Sequence, residues 1–171
     1  LKNRPVGAPQ NSDFEFTKED TPSPKDGELL LEARYVSVDP YLRGRMMDQK
    51  SYIEPFKLNE PITSGIVAEV IESKNENFKK GDIVNGMLAW KEQQTSNGEG
   101  LNKVDADKAP LSAYLGVLGL TGLTAYFGLT KLGLPKEGDT LVVSGAAGAV
   151  GTIVGQIGKI HGCKVIGIAG S

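Results

Sequence analysis

Three glycines near the carboxyl end of the chain have the spacing of a phosphate-binding turn. Gly148 and Gly151 match the last two glycines of G-x-G-x-x-G, Gly145 precedes them, and Ala146 replaces the first glycine of the pattern. A glycine at 148 lets the backbone approach a pyrophosphate, and one at 151 lets a helix pack closely on a strand. The motif alone also fits a tight turn with no ligand.

The segments on either side of the glycines strengthen the dinucleotide interpretation. The apolar run TLVVS at residues 140–144 predicts a parallel strand buried on both faces, and KVIGIAG at 164–170 predicts a second strand. Residues 140–169 therefore predict one βαβ unit, in which N–H groups of the first helical turn face the ligand. The helix is predicted from apolar residues at intervals of three and four: Val150, Ile153, Val154, Ile157 and Ile160.

The end of the second strand indicates which dinucleotide would bind. NAD sites usually carry Asp or Glu there to bond the ribose 2′-hydroxyl, whereas this strand ends in GIAGS. The small residues Gly170 and Ser171 leave room for a 2′-phosphate, which favours NADP. No Gly-Lys-Ser/Thr follows the turn, and Val142 stands where a nucleophile elbow around Ser144 would need glycine, so neither a Walker loop nor that hydrolase motif is present.

The earlier part of the chain is predicted to be rich in β structure. Alternation at Phe14 and Phe16 predicts a strand, and ELLLEARYVSVDP predicts another that ends at Pro40. TSGIVAEVIESK and GDIVNGML predict two more, which together fit a small barrel or twisted sheet. Residues 91–110 are predicted to form a surface loop with one short strand. Residues 111–133 have helical spacing, with Gly133 as a candidate cap and one apolar side at Leu120, Leu123, Tyr126 or Phe127, and Thr130.

Composition limits the classes of partner and site. The 171 residues carry a net charge of −2, which gives no electrostatic reason to expect nucleic acid or a membrane as partner. One cysteine, Cys163, and one histidine, His161, cannot form an internal disulfide or a tetrahedral zinc site. We expect a buried, unreactive Cys163 and a cytoplasmic protein, with no metal.

Four segments of the sequence resemble those of a known superfamily. SVDPYLRGRM at 37–46, LGLTGLTAYFGL at 118–129, GAAGAVG at 145–151 and VGQIGKIHGCKVIGIAGS at 154–171 are similar to the zinc-independent medium-chain dehydrogenases/reductases, in the prostaglandin reductase and alkenal (enone) reductase branch. The resemblance implies an α/β plus β fold. A GroES-like substrate domain at 1–120 would precede the first βαβ of a Rossmann domain at 121–171, truncated relative to the family, with the ligand in the cleft between the domains.

The resemblance also implies roles for individual residues. Tyr52 would lie beside the substrate as the catalytic candidate, although it can equally be a loop aromatic. Thr124 would lie near the nicotinamide, although its hydroxyl can instead bond its own helix. Arg43 and Arg45 are interpreted as structural ion-pair residues. The other cofactor contacts implied are Pro40 and Tyr41 as a wall, and Gly148, Ala149, Val150 and Gly151 at the pyrophosphate.

The activity implied is NADPH-dependent reduction of the carbon–carbon double bond of α,β-unsaturated ketones or aldehydes. The cofactor would supply a hydride to the β-carbon, and positioned hydrogen bonds, with Tyr52 as a candidate donor, would stabilise the charge that moves to the carbonyl oxygen. The partners implied are a small enone or enal and, in the full-length protein, a second copy in a homodimer. The alternatives are a quinone reductase of the same superfamily and, for the isolated chain, a non-catalytic fragment.

Overall fold

The computed structural model describes residues 1–170, which form two compact units divided between Leu111 and Ser112. The sequence analysis placed its domain boundary later, between residues 120 and 121. Residues 112–119 join the second unit because their backbone is bonded to its first helix; the N–H of Gly122, for example, donates to the carbonyl of Gly116 at 3.2 Å. The limits of the functional domains remain a prediction.

The first unit is built on one antiparallel sheet. Its strands are β1 (Leu29–Val36), β2 (Thr63–Ser73), β3 (Ile83–Ala89), β4 (Gln93–Ser96) and β5 (Asn102–Lys103). They lie in the order β4-β1-β2-β3-β5. The predicted strands around residues 29–36, 63–73 and 83–89 are confirmed. The polar segment 91–110 contains two short strands, where one was predicted.

The central strand β2 is apolar on both faces, which makes it the middle of the core. Ile66, Val67 and Val70 have no exposed surface. Full burial of such a side chain stabilises the fold by about 1.5–3 kcal/mol relative to exposure. The cluster around β2 contains Leu29, Leu31, Ile66, Ala68, Val70, Val84 and Leu88.

A short helix, α1 (Pro40–Arg45), covers a second apolar cluster. Proline suits the first helical position because an N–H at that position would have no acceptor within the helix, so no hydrogen bond is lost. The strand predicted to continue to Pro40 ends at Val36, since Pro40 instead begins this helix. Leu42 and Met46 lie one turn apart on the buried side of α1. The cluster is Leu1, Leu42, Met46, Phe56 and Ile62.

The strand predicted from Phe14 and Phe16 is wrong. Residues 14–28 contain no strand or helix; Phe14 packs against the second apolar cluster, and Phe16 is 87% exposed. Alternation over two aromatic residues predicts a strand only if a neighbouring strand accepts its hydrogen bonds, and none does here.

The turn before β3 carries an ion pair that makes stability depend on pH. Asp82 Oδ2 accepts hydrogen bonds from Lys103 Nζ at 2.7 Å and from the N–H of Lys79 at 2.9 Å. These donors, Lys103 foremost, lower the pKa of Asp82 below the ordinary aspartate value. The stabilisation is therefore present above the pKa of the unfolded carboxyl and is lost as pH falls through the folded pKa.

Asp82→Asn is expected to destabilise the protein by about 1 kcal/mol at pH 7, since Lys103 is half exposed and screened by solvent. The difference from the wild type should shrink as pH falls toward 3, as urea unfolding at both pH values would measure. Asp26→Asn is the matched control, because that carboxylate is exposed and forms no ion pair within residues 1–170. A deficit for Asp82→Asn that is equal at pH 7 and pH 3 would contradict the assignment.

A 3₁₀ turn (Leu111–Leu115) crosses the boundary between Leu111 and Ser112. The second unit then contains α2 (Leu120–Phe127), which continues into a π-helix (Gly128–Gly133). The predicted cap at Gly133 is wrong, because Leu134, one residue later, has the left-handed conformation with φ of 47°. The predicted apolar side is also not the buried one. Leu120, Leu123, Tyr126 and Phe127 are about half exposed or more, whereas Gly122, Ala125 and Leu129 are buried.

The predicted βαβ unit is confirmed. Strands β6 (Thr140–Ser144) and β7 (Lys164–Ile168) pair in parallel, and α3 (Gly151–Ile160) connects them. Burial on both faces of β6 was predicted, but only Val143 is buried and Val142 is 58% exposed. Within this unit α3 covers one face of the two strands. No helix of residues 1–170 is both long and apolar enough to cross a membrane.

Candidate functional site

The glycine turn between β6 and α3 has a defined backbone path. Gly145 has φ of +59°, a conformation that favours glycine, and its carbonyl accepts the N–H of Gly148 at 2.9 Å. The N–H of Ala146 donates to the carbonyl of Ile168 at 3.0 Å, which ties the turn to the end of β7. The turn therefore lies at the carboxyl ends of both strands, where open α/β sheets bind ligands.

Gly151 allows the start of α3 to approach the turn. A Cβ at residue 151 would lie 2.3 Å from the carbonyl oxygen of Gly145 and 2.9 Å from Cα of Ala146. At the other end of the helix, a Cβ at Gly158 would lie 2.5 Å from Cδ2 of Leu141. Gly151 is thus required by its close approach to backbone atoms, in agreement with the packing role that sequence reasoning gave it, whereas the overlap at Gly158 involves side-chain ends that can shift.

The alanine that replaces the first glycine of the motif is accommodated by a glycine on β7. A Cβ at Gly167 would lie 2.8 Å from the methyl group of Ala146. Alanine therefore fits at residue 146 because residue 167, which faces it, is a glycine and has no side chain. Sequence reasoning missed this pair, since the two residues are brought together only by the pairing of β6 with β7.

Free backbone donors lie at the start of α3. In the part of the chain that the structure describes, the N–H groups of Ala149 and Val150 meet no backbone acceptor. The first turn of α3 has no acidic side chain, and its dipole favours negative charge at this end. The hydroxyl of Thr152 is occupied, because it donates to the carbonyl of Gly148 at 2.9 Å. The turn can accept a phosphate through backbone donors.

Gly170 and Ser171 follow β7, at the place predicted to face a 2′-phosphate. A Cβ at Gly170 would meet no atom within 4 Å. Ser171, the other residue predicted there, lies outside the described residues. No carboxylate stands in GIAGS to repel a phosphate.

Thr124 lies on α2 and has an internal hydrogen bond. Its hydroxyl donates to the carbonyl of Leu120 at 2.7 Å, the local bond that was the alternative interpretation of this residue. The side chain is exposed, so its oxygen can still accept a hydrogen bond. A contact with a nicotinamide remains a prediction.

The candidates in the first unit lie on α1 and on the loop that follows it. Pro40 is exposed at the start of α1 and Tyr41 is partly buried beside it. Tyr52 is 87% exposed, and no group among residues 1–170 bonds its hydroxyl. Burial first, and then the charge of Asp39, raise the pKa of Tyr41. The aromatic candidates are thus carried by α1 and by the loop that follows it.

The two arginines of α1 bond carbonyl groups, which corrects the ion-pair interpretation. Arg43 donates from Nη2 to the carbonyl of Gly7 at 2.7 Å. Arg45 donates from Nε to the carbonyl of Glu54 at 3.0 Å. Neither arginine pairs with a carboxylate among the described residues. The spacing along the sequence could not show this, because the partner carbonyls belong to irregular segments.

A separate cavity of about 730 Å³ in the first unit contains none of the predicted site residues. It lies between the extended segment around Phe16 and the turn around Trp90. Within residues 1–170 no three His, Cys, Asp or Glu side chains come together as a metal site. Cys163 is buried, as expected, and its thiol lies 3.5 Å from the carbonyl of Lys136.

Comparisons with known proteins agree with this architecture. The family described as the N-terminal domain of oxidoreductase matches residues 1–104. An Escherichia coli protein named NADPH-dependent curcumin reductase is 45% identical over 99% of the chain and 49% of its own length. A tobacco 2-alkenal reductase (NADP(+)-dependent) is 42% identical over 100% of the chain and 51% of its own length.

A solved structure of CurA from Vibrio vulnificus in complex with NADPH matches with a TM-score of 0.91 and 48% identity, over 100% of the chain and 51% of that structure. The chain thus spans about half the length of the proteins it matches. The predicted fold class, a GroES-like domain followed by the start of a Rossmann domain, is confirmed.

Proposed function

Because the chain belongs to the oxidoreductase family whose N-terminal domain matches residues 1–104, in the zinc-independent branch of the medium-chain dehydrogenases/reductases, we propose that the full-length protein is an NADPH-dependent reductase of activated double bonds. Its substrates are α,β-unsaturated ketones or aldehydes. The reductases of E. coli and tobacco support the choice of cofactor, and the 2-alkenal named for the tobacco protein supports the substrate class.

The single observation that carries the proposal is the glycine turn at the carboxyl ends of β6 and β7. Its free N–H groups at Ala149 and Val150 fit a pyrophosphate, and Gly151 lets the start of α3 lie close enough to the turn to present them. The absence of a carboxylate in GIAGS favours a 2′-phosphate over a free ribose 2′-hydroxyl. NADPH, when bound, would supply a hydride.

Tyr52 is proposed to act on the substrate. Hydride addition to the β-carbon of an enone breaks the carbon–carbon double bond and moves negative charge to the carbonyl oxygen, and a proton from water then adds at the α-carbon. An exposed phenol with no partner among the described residues can donate a hydrogen bond to that oxygen. Pro40 and Tyr41 are proposed to form the wall beside it, and Thr124 to contact the nicotinamide. Only a small-molecule substrate is proposed as ligand, and the full-length protein is proposed to be a cytoplasmic homodimer.

The test is NADPH consumption by the full-length protein with a medium-chain 2-alkenal. We expect turnover with NADPH and a kcat/KM about 10- to 100-fold lower with NADH, the range set by one or two charge-assisted hydrogen bonds to the 2′-phosphate. A simple quinone is the control substrate. Turnover with the quinone and none with the alkenal would support the quinone reductase of the same superfamily, and no turnover with either would contradict both activities.

The isolated 171-residue chain is proposed to be a non-catalytic fragment. It spans about half the length of the reductases it matches, and Val142, Ile166 and Ile168 are exposed on the strands of its βαβ unit.

A further inference from the structure

We propose that Arg45 is a positioning residue that fastens the loop carrying Tyr52, and so determines where the phenol meets the substrate. The loop, residues 47–55, is called the tyrosine loop below. This inference rests on the proposed function, because Tyr52 is the group that it places.

The Arg45 side chain joins three elements at the end of the tyrosine loop. Its Nε donates to the carbonyl of Glu54 at 3.0 Å, inside the loop. Its Nη1 donates to the hydroxyl of Thr63 at 3.3 Å, at the start of β2. Its guanidinium carbon lies 4.0 Å from the centre of the Phe56 ring, which is buried in the second apolar cluster. The loop is thereby fixed to α1 and to the sheet at once.

The backbone and a second arginine hold the ends of the same loop. The N–H of Phe56 donates to the carbonyl of Arg45 at 2.7 Å. Arg4 donates from Nη1 to the carbonyl of Met46 at 3.1 Å and from Nη2 to the carbonyl of Phe56 at 3.3 Å. Between these anchors Tyr52 is 87% exposed and makes no hydrogen bond to any described residue. Its direction therefore depends on how firmly the ends of the loop are held.

The charge of Arg45 reaches the neighbouring tyrosine as well. Burial raises the pKa of Tyr41, while the positive charge of Arg45 opposes that rise. One guanidinium thus acts on the charge of Tyr41 and is bonded to the loop that carries Tyr52.

Arginine is suited to this position in a way that lysine is not. A planar guanidinium presents several N–H donors in a fixed fork and can stack on a ring at the same time. A lysine ammonium keeps the charge but is a single, flexible group, so it cannot hold Glu54, Thr63 and Phe56 together.

Arg43 provides the matched control on the same helix. Its Nε and Nη2 donate to the carbonyl of Gly7 at 3.1 and 2.7 Å, and Nη2 also donates to the carbonyl of Pro5 at 3.2 Å. It fastens the N-terminal segment and makes no hydrogen bond to the tyrosine loop among the described residues. Arg43→Lys therefore changes an equivalent fork two positions away.

In the full-length protein, Arg45→Lys is expected to lower kcat/KM for a 2-alkenal by about 10- to 100-fold, the range of a misplaced reacting group. Arg43→Lys should stay within about twofold of the wild type, and NADPH affinity should be unchanged in both. In a Tyr52→Phe background, Arg45→Lys should have no more than about a twofold further effect, because it acts through the missing phenol. Equal losses for both arginine variants, or additive losses with Tyr52→Phe, would overturn the proposal.

Amide hydrogen exchange of the full-length protein without substrate gives a readout independent of turnover. Arg45→Lys should speed exchange in the tyrosine loop, and Arg43→Lys only near residues 5–8. Unchanged protection of the tyrosine loop in Arg45→Lys would overturn the anchoring role. Faster exchange there, in a protein that reduces no alkenal, would support the anchor and overturn the proposed function instead.

Discussion

Gly151→Ala is expected to abolish measurable NADPH binding by the full-length protein and to destabilise it by about 3 kcal/mol. The added methyl would lie 2.3 Å from the carbonyl oxygen of Gly145, and a backbone oxygen cannot rotate away as a side chain can. Helix α3 must move away from the turn, which displaces the N–H groups of Ala149 and Val150. Urea unfolding would give the stability, and quenching or enhancement of NADPH fluorescence would give the affinity.

Gly155→Ala is the control in the same helix. A Cβ at residue 155 would lie 3.7 Å from Cγ1 of Val165, an ordinary contact. Alanine is also a better helix former than glycine, so this variant should be as stable as the wild type or more stable by up to about 1 kcal/mol. Wild-type affinity for NADPH in Gly151→Ala would show that the close approach at the turn does not shape the cofactor site.

Gly122→Ala is expected to destabilise the second unit by about 4 kcal/mol, at the upper end for a single substitution. A Cβ at residue 122 would lie 1.7 Å from the carbonyl oxygen of Val117 and 2.5 Å from its carbonyl carbon. The turn before α2 folds back onto the helix there, and the N–H of Gly122 bonds the carbonyl of Gly116. Relief of the overlap would break this turn. The melting temperature and the urea midpoint of the full-length protein would both measure the loss.

Gly128→Ala provides the comparison one and a half turns later. Nothing lies within 4 Å of a Cβ at residue 128, and its backbone is helical, with φ of −57° and ψ of −46°. Alanine should therefore stabilise this position by up to about 1 kcal/mol. If Gly122→Ala unfolded no earlier than Gly128→Ala, the packing of residue 117 against the helix would not limit stability.

Local patterns in the sequence were sufficient for the βαβ unit and for three strands of the sheet. The apolar spacing from Val150 to Ile157 predicts α3, and the continuous run in TLVVS predicts β6. Such patterns work because each element repeats its own geometry every few residues. The same patterns did not show which side would be covered. The apolar residues of α2 and Val142 of β6 are exposed, since burial depends on what lies opposite and not on the element itself.

The candidate site was likewise predictable from the sequence only in part. The sequence by itself determined the glycine spacing, the missing carboxylate after β7 and the family resemblance from which roles for Tyr52 and Thr124 are predicted. Only the tertiary structure decided that Gly167 makes room for Ala146, and that Arg45 fastens the tyrosine loop through Glu54, Thr63 and Phe56. These contacts join residues 9 to 21 positions apart, at spacings that follow from the path of the chain and carry no sequence signature. A motif records which atoms are available, whereas the pairing of strands and the path of loops decide which of them meet.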